Sequence, residues 1–201
     1  MALLFAKNNS LSAVTALPAS ISGGGLNLIS TQTASSSSTI DFTSGIDSTY
    51  KEYIFKFINI HPSADGSQFL FNLSADTGSN YNVTKTTTAF RSFHSEDDSA
   101  TGLAYYTGGD LAQSTDFQRF ADSLGNDNDQ SLSGTFTLFN PSSTTFVKHF
   151  IANVNYSYDA DYSLQYFLAG YGNTTSAVDA IQFKMNSGNI DSGTIKLYGV
   201  S

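Results

Sequence analysis

The sequence predicts an all-β protein: an antiparallel, jelly-roll-like β-sandwich with an extended N-terminal arm. Three observations lead there. Apolar residues recur at every second position over much of the chain after residue 25, which is the period of a strand with one buried face. Gly, Asn, Ser, Asp and Pro interrupt these runs at short intervals, the punctuation expected of a sandwich or jelly roll. Charged residues make up only 13% of the chain while aromatics also reach 13%, so its polar surface must come mainly from Ser, Thr, Asn and Gln. Thr in particular suits strands. At 201 residues, the chain is long enough for one large domain with its own core.

The first forty residues contain one charged side chain, Lys7. They also hold Pro18, the Gly23-Gly24-Gly25 triplet and the Ser35–Ser38 run. Their hydrophobics are too numerous for a solvated linker and too broken for a core. Residues 1–25 are therefore read as an attachment arm laid on another surface, with Leu3, Leu4, Phe5, Leu11, Val14, Leu17 and Ile21 as its candidate contacts. Residues 26–201 are read as the sandwich.

Alternation starts at Leu26. Tyr50 to His61 is the strongest strand, with Phe55 and Phe57 on one face and Ile54, Lys56, Ile58 and Ile60 on the other. His61 to Gly66 forms a turn, with Pro and Asp-Gly where turns use them. Phe69, Phe71 and Leu73 follow, and the two runs together read as a β-hairpin. Tyr81 to His94 is a Thr-rich extended segment. Residues 95–130 are the least regular, with Leu111 to Leu124 spaced for one short helix and the remainder loops. Alternation resumes at Leu132. Further strands are expected around Val147–Val154, Leu164–Ala169, Ile181–Met185 and Gly193–Val200.

Net charge is −8, and nine Lys and Arg are scattered along the chain, which argues against a nucleic-acid surface. The absence of Cys excludes disulfides, thiolate metal sites and a Cys nucleophile. The three His lack the close spacing of a zinc site. Asp127-Asn128-Asp129 resembles the start of a calcium loop, but Leu132 stands where that loop needs Gly. A structural calcium there or at Glu96-Asp97-Asp98 is the one cofactor worth carrying forward. The only two Glu, Glu52 and Glu96, lack the setting of a paired acid catalyst, and no nucleophile elbow or phosphate loop is present. The expectation is a protein that binds rather than catalyses, made in a cytoplasm and bound to no membrane. Tyr105, Tyr106, Tyr156 and Tyr158, together with Tyr162, are candidate surface aromatics for a protein or glycan partner.

Three segments carry a resemblance. Ile40-Asp41-Phe42-Thr43-Ser44-Gly45-Ile46-Asp47-Ser48-Thr49-Tyr50 leads into Tyr53-Ile54-Phe55-Lys56-Phe57. Ile181-Gln182-Phe183-Lys184 leads into Ser187-Gly188-Asn189-Ile190-Asp191-Ser192-Gly193-Thr194-Ile195-Lys196-Leu197-Tyr198-Gly199. The opening stretch Asn9-Ser10-Leu11-Ser12-Ala13-Val14-Thr15-Ala16-Leu17-Pro18 is the third. Together they resemble a family of virion structural proteins of marine tailed phages, cyanophages among them. The resemblance implies a virion location and either a head decoration (cement) role or a tail-fibre role. Its implied partners are further copies of the chain, as a homotrimer, the phage major capsid protein or other virion proteins, and, for a fibre, host glycans. It brings no catalytic residues with it.

Overall fold

The computed structural model describes residues 25–201. The expected arm and its contacts Leu3, Leu4, Phe5, Leu11, Val14, Leu17 and Ile21 lie outside the described residues. Among those described there is no helix, and twelve strands form two antiparallel sheets, a β-sandwich.

The strands are β1 (Leu26–Thr33), β2 (Thr39–Phe42), β3 (Glu52–Pro62), β4 (Phe69–Ser74), β5 (Lys85–Ser95), β6 (Thr101–Tyr105), β7 (Gln118–Arg119), β8 (Leu132–Phe139), β9 (Lys148–Tyr158), β10 (Tyr162–Gly172), β11 (Ala180–Met185) and β12 (Ile190–Val200). The large sheet runs β1-β12-β3-β8-β9-β10-β5-β6 and the small one β2-β11-β4-β7. The pairings nest: β1 with β12, β2 with β11, β3 with β8, β4 with β7. The β5–β6 and β9–β10 hairpins are added within this nest and widen the large sheet on one side.

Phenylalanines fill the space between the sheets. Phe183 of β11 meets Phe55 and Phe57 of β3 at 5.5 and 5.4 Å between ring centroids, both edge-to-face. Phe71 of β4 lies 4.8 Å from Phe136 of β8. Such ring pairs add to the burial of the rings themselves. All of these rings are buried.

Two expectations are corrected. Segments β3 and β4 do not form a hairpin: the turn after Pro62 carries the chain from the large sheet to the small one. Phe57 and Phe69 face each other across the core at 5.3 Å. Alternation reports which face is buried, and it cannot tell a strand paired beside its neighbour from one packed opposite it. The helix expected over Leu111 to Leu124 is absent too. Its backbone bonds to the edge of the small sheet instead: Phe120 N–H donates to Phe69 O and Leu124 N–H to Ser67 O, each at 2.7 Å. Phe120, Ala121 and Leu124 are the buried apolar residues of this stretch, joined by Gln118. Their spacing suits a helix face, but the unpaired edge of β4 captures the backbone, and tertiary pairing overrides local preference.

The last strand begins earlier than the expected Gly193, at Ile190, with register shifts between Ile190 and Thr194 that mark bulges. Gly193 has φ +117, and a Cβ there would come within 2.6 Å of Asn59 O, so a glycine is needed where the bulge presses on β3.

Candidate interaction surfaces

The small sheet is narrower than the large one, so one end of the large sheet's inner face is covered only by loops. A cleft of about 430 Å³ lies there, lined by Arg91 and Phe93 of β5, Tyr158 of β9, Tyr162 and Leu164 of β10, and Ala100 and Ala160 from the adjoining turns. The rings stand edge to face: Phe93 and Tyr162 at 5.7 Å, Tyr158 and Tyr162 at 5.8 Å. Gly102 of β6 makes room for Phe93, since a Cβ there would lie 2.6 Å from the ring. Antiparallel register sets Tyr158 opposite Tyr162 and Tyr162 opposite Ser95. Three partly exposed aromatic side chains and a guanidinium therefore converge on one hollow.

Beneath the cleft, Asp122 organises the loop that covers the sheet. Its carboxylate accepts from Arg119 at 3.1 Å and from Gln68 at 3.1 Å, sits 3.9 Å from Arg91, and accepts from the Tyr106 hydroxyl. Arg91 in turn lies over the Tyr106 ring, 4.0 Å from its centroid. The Tyr156 hydroxyl donates to Asp122 O at 2.9 Å and accepts from Asp122 N–H at 3.0 Å. Tyr166 donates to Gly109 O at 3.1 Å. Burial pushes the phenols of Tyr156, Tyr166 and Tyr106 up from their ordinary value, and the Asp122 carboxylate adds to this at Tyr106. These hydroxyls stay protonated and act as braces for the loop.

Of the candidate surface aromatics, Tyr158 lines the cleft and Tyr105 is exposed on the opposite face. Tyr106 packs against the core with its hydroxyl on Asp122. Tyr156 is corrected: it is 1% exposed and belongs to the core, because alternation along β9 sends Lys148, Phe150, Ala152, Val154 and Tyr156 inward. Sequence reasoning missed Phe93 and Arg91. The signal was present, because a Tyr81–His94 strand with alternating faces puts 91 and 93 on one side and Phe90 on the other.

The outer face of the large sheet is the second surface. Register places Leu28, Tyr198, Ile54, Thr137, Ile151, Ala169 and Thr88 in one row across seven strands. A second row holds Asn153, Phe167, Phe90 and Tyr105. Phe90 and Phe167 stack at 4.6 Å and 12°, yet Phe90 remains 43% exposed. Leu103, Tyr105 and Ile151 are exposed at 73%, 53% and 54%. Every outward side chain of β8, β9, β10, β5 and β6 is free of Asp, Glu, Lys and Arg. The charges begin only at its borders, with Lys56 and Lys196 paired on β3 and β12, and Asp110 held by the Tyr105 hydroxyl beyond β6.

Among the described residues, no three His, Cys, Asp or Glu side chains gather as metal ligands would. In the acidic loops, Asp127 O accepts from Gln130 N–H, Asp97 caps Ser99 N–H at 3.0 Å, and Asp98 lies 3.2 Å from His94. No protein-family model matches the chain, and no curated protein matches it.

Proposed function

We propose that the chain is a bacteriophage virion structural protein, a capsid decoration (cement) protein seated on the outer surface of the head. The observation that carries this reading is the strand order β1-β12-β3-β8 opposite β2-β11-β4-β7. Nested pairing of first with last strands supports reading the sandwich as a double-sheet jelly roll, an architecture that viral capsid and lectin domains use. A fold of this kind hosts many functions. The segments Ile40–Tyr50, Ile181–Gly199 and Asn9–Pro18 supply the setting through their resemblance to phage virion proteins. The role is non-enzymatic: apolar surface is buried between subunits, and repetition over the particle multiplies modest contacts. The chain assembles as a homo-oligomer, with a trimer as the implied state, and residues 1–25 attach it to the major capsid protein or a neighbouring subunit.

Co-sedimentation with particles that carry the protein tests this reading. A chain lacking residues 1–25 should keep its strand signature and its cooperative unfolding yet fail to sediment with the particle. Undiminished binding by the truncated chain would overturn the attachment role of the arm.

A second reading is favoured by one observation, the cleft of Phe93, Tyr158 and Tyr162 beside Arg91. Aromatic walls stack on sugar rings, and a tail-fibre component would offer such a cleft to host glycans. Labelling of intact particles with an antibody separates the two readings: signal over the head favours decoration, and signal confined to the tail favours the fibre.

A further inference from the structure

The outer face of β8-β9-β10-β5-β6 has a composition that a solvated sheet face rarely has. It sets the apolar side chains Ile151, Ala169, Phe167, Phe90, Leu103 and Tyr105 among uncharged polar ones and holds no Asp, Glu, Lys or Arg, in a chain whose net charge is −8. Monomeric proteins seldom leave such a contiguous patch bare. Its size is informative. Five strands at roughly 4.8 Å spacing and about nine residues of about 3.3 Å each cover roughly 24 Å by 30 Å, or about 700 Å². That approaches the about 800 Å² per partner that a stable pair buries.

We propose that this face is the self-association interface, closing against a second copy of the same chain, with Ile151, Phe90, Phe167, Leu103 and Tyr105 as its apolar anchors. Charge selects the occupant. A second copy is as acidic as the first, so two copies repel wherever their acidic surfaces approach. They meet without that cost where neither side carries a charge. A partner of opposite charge would instead be drawn to the acidic turns at Glu96-Asp97-Asp98 and Asp127–Asp129. The anchors resemble the centre of a protein interface: aromatic and branched apolar groups inside, with Thr, Ser, Asn and Gln around them. The stacked Phe90–Phe167 pair is already ordered within one subunit, so little freedom is lost when it is covered.

This inference rests on the self-association part of the proposed function and departs from its trimer, because a face that closes on its own copy makes a two-fold pair; its test needs no particle, so the two fail separately. The full chain is run on size-exclusion chromatography with light scattering at micromolar concentration. A dimer is expected. Ile151→Lys and Leu103→Lys each put a charge at a solvent-exposed position, so folding is retained, and circular dichroism checks that it is. Each variant should shift the mass to that of the monomer, while the control Thr144→Lys, on an exposed loop, should not. A monomeric full chain overturns the proposal. So does an oligomer that both charged variants leave intact, which would place the contact elsewhere. A full chain that is monomeric while residues 26–201 alone oligomerise also overturns it, and would assign the face to the chain's own first 25 residues.

Discussion

Lys85 and Asn72 meet inside the protein: the Lys85 ammonium lies 2.5 Å from Asn72 Oδ1, and both residues are 0% exposed. The ammonium also donates to Val83 O at 2.8 Å, with no carboxylate in contact. The Asn72 amide donates to Tyr81 O and Thr115 O at 2.7 and 2.8 Å, and its oxygen accepts Leu73 N–H. One pair of side chains thus fastens two loops over the back of the small sheet. Asn72→Ala would leave a buried cation short of an acceptor and two carbonyls without their donor, costing about 3 kcal/mol. Lys85→Met removes the charge together with its need for partners and should cost clearly less. Urea unfolding of both variants checks the order.

The same lysine sets a pH dependence. Burial pushes its ammonium down to about 8 from an ordinary 10.5, and Lys148, held by Phe146 O and Thr174 O, is pushed down in the same way. Between about 8 and 10.5 the unfolded chain binds the Lys85 proton and the folded chain does not, so stability rises with pH in that window. The buried phenols of Tyr156 and Tyr166 are shifted up and act in the opposite sense once unfolded tyrosines ionise, near 10. Stability should therefore climb from pH about 8 towards 10 and then fall, with a rise on the order of 2 kcal/mol. Urea midpoints across this range read it, and Lys85→Met should flatten most of the climb.

At the centre of the sandwich, Phe183 touches rings from both sheets: Phe42 and Phe69 within the small sheet, Phe55 and Phe57 in the large one. Phe183→Ala should destabilise by about 3–5 kcal/mol through lost burial and the cavity left behind. Ile151→Ala on the outer face should cost under about 1 kcal/mol in the isolated subunit. Thermal unfolding of the two variants makes the comparison.

Tyr156 and Tyr158 stand two residues apart and do different work. Tyr156→Phe removes the hydroxyl that bridges Asp122 N–H and O, and should cost about 1–2 kcal/mol. Tyr158→Phe, at the cleft, should be close to neutral for stability. Equal effects would contradict the assignment of Tyr156 to the core.

Much of the sandwich was legible because burial of one strand face is written as alternation: Tyr53, Phe55 and Phe57, then Phe150, Ala152 and Val154, all point inward. Sheet membership was not legible, since Phe57 and Phe69 carry the same pattern whether their strands pair or oppose. The stretch from Leu111 to Leu124 misled because its apolar spacing fits a helix, while the decisive partner, the edge of β4, lies more than forty residues earlier in sequence. The buried lysines ran against expectation, because Lys is rarely buried, and it is the Asn72 amide oxygen and the carbonyls of Val83, Phe146 and Thr174 that hold their ammonium groups. The outer face was hidden for a related reason. Its absence of charge is a property of five strands side by side, invisible along any one of them.

The central claim, that this sandwich serves a phage particle as a repeated structural part, is tested most directly by counting it. Quantitative mass spectrometry of purified virions, scaled to the major capsid protein, gives copies per particle. Decoration predicts on the order of hundreds of copies, as multivalent binding to a shell requires. A few copies per particle, or none, would contradict it.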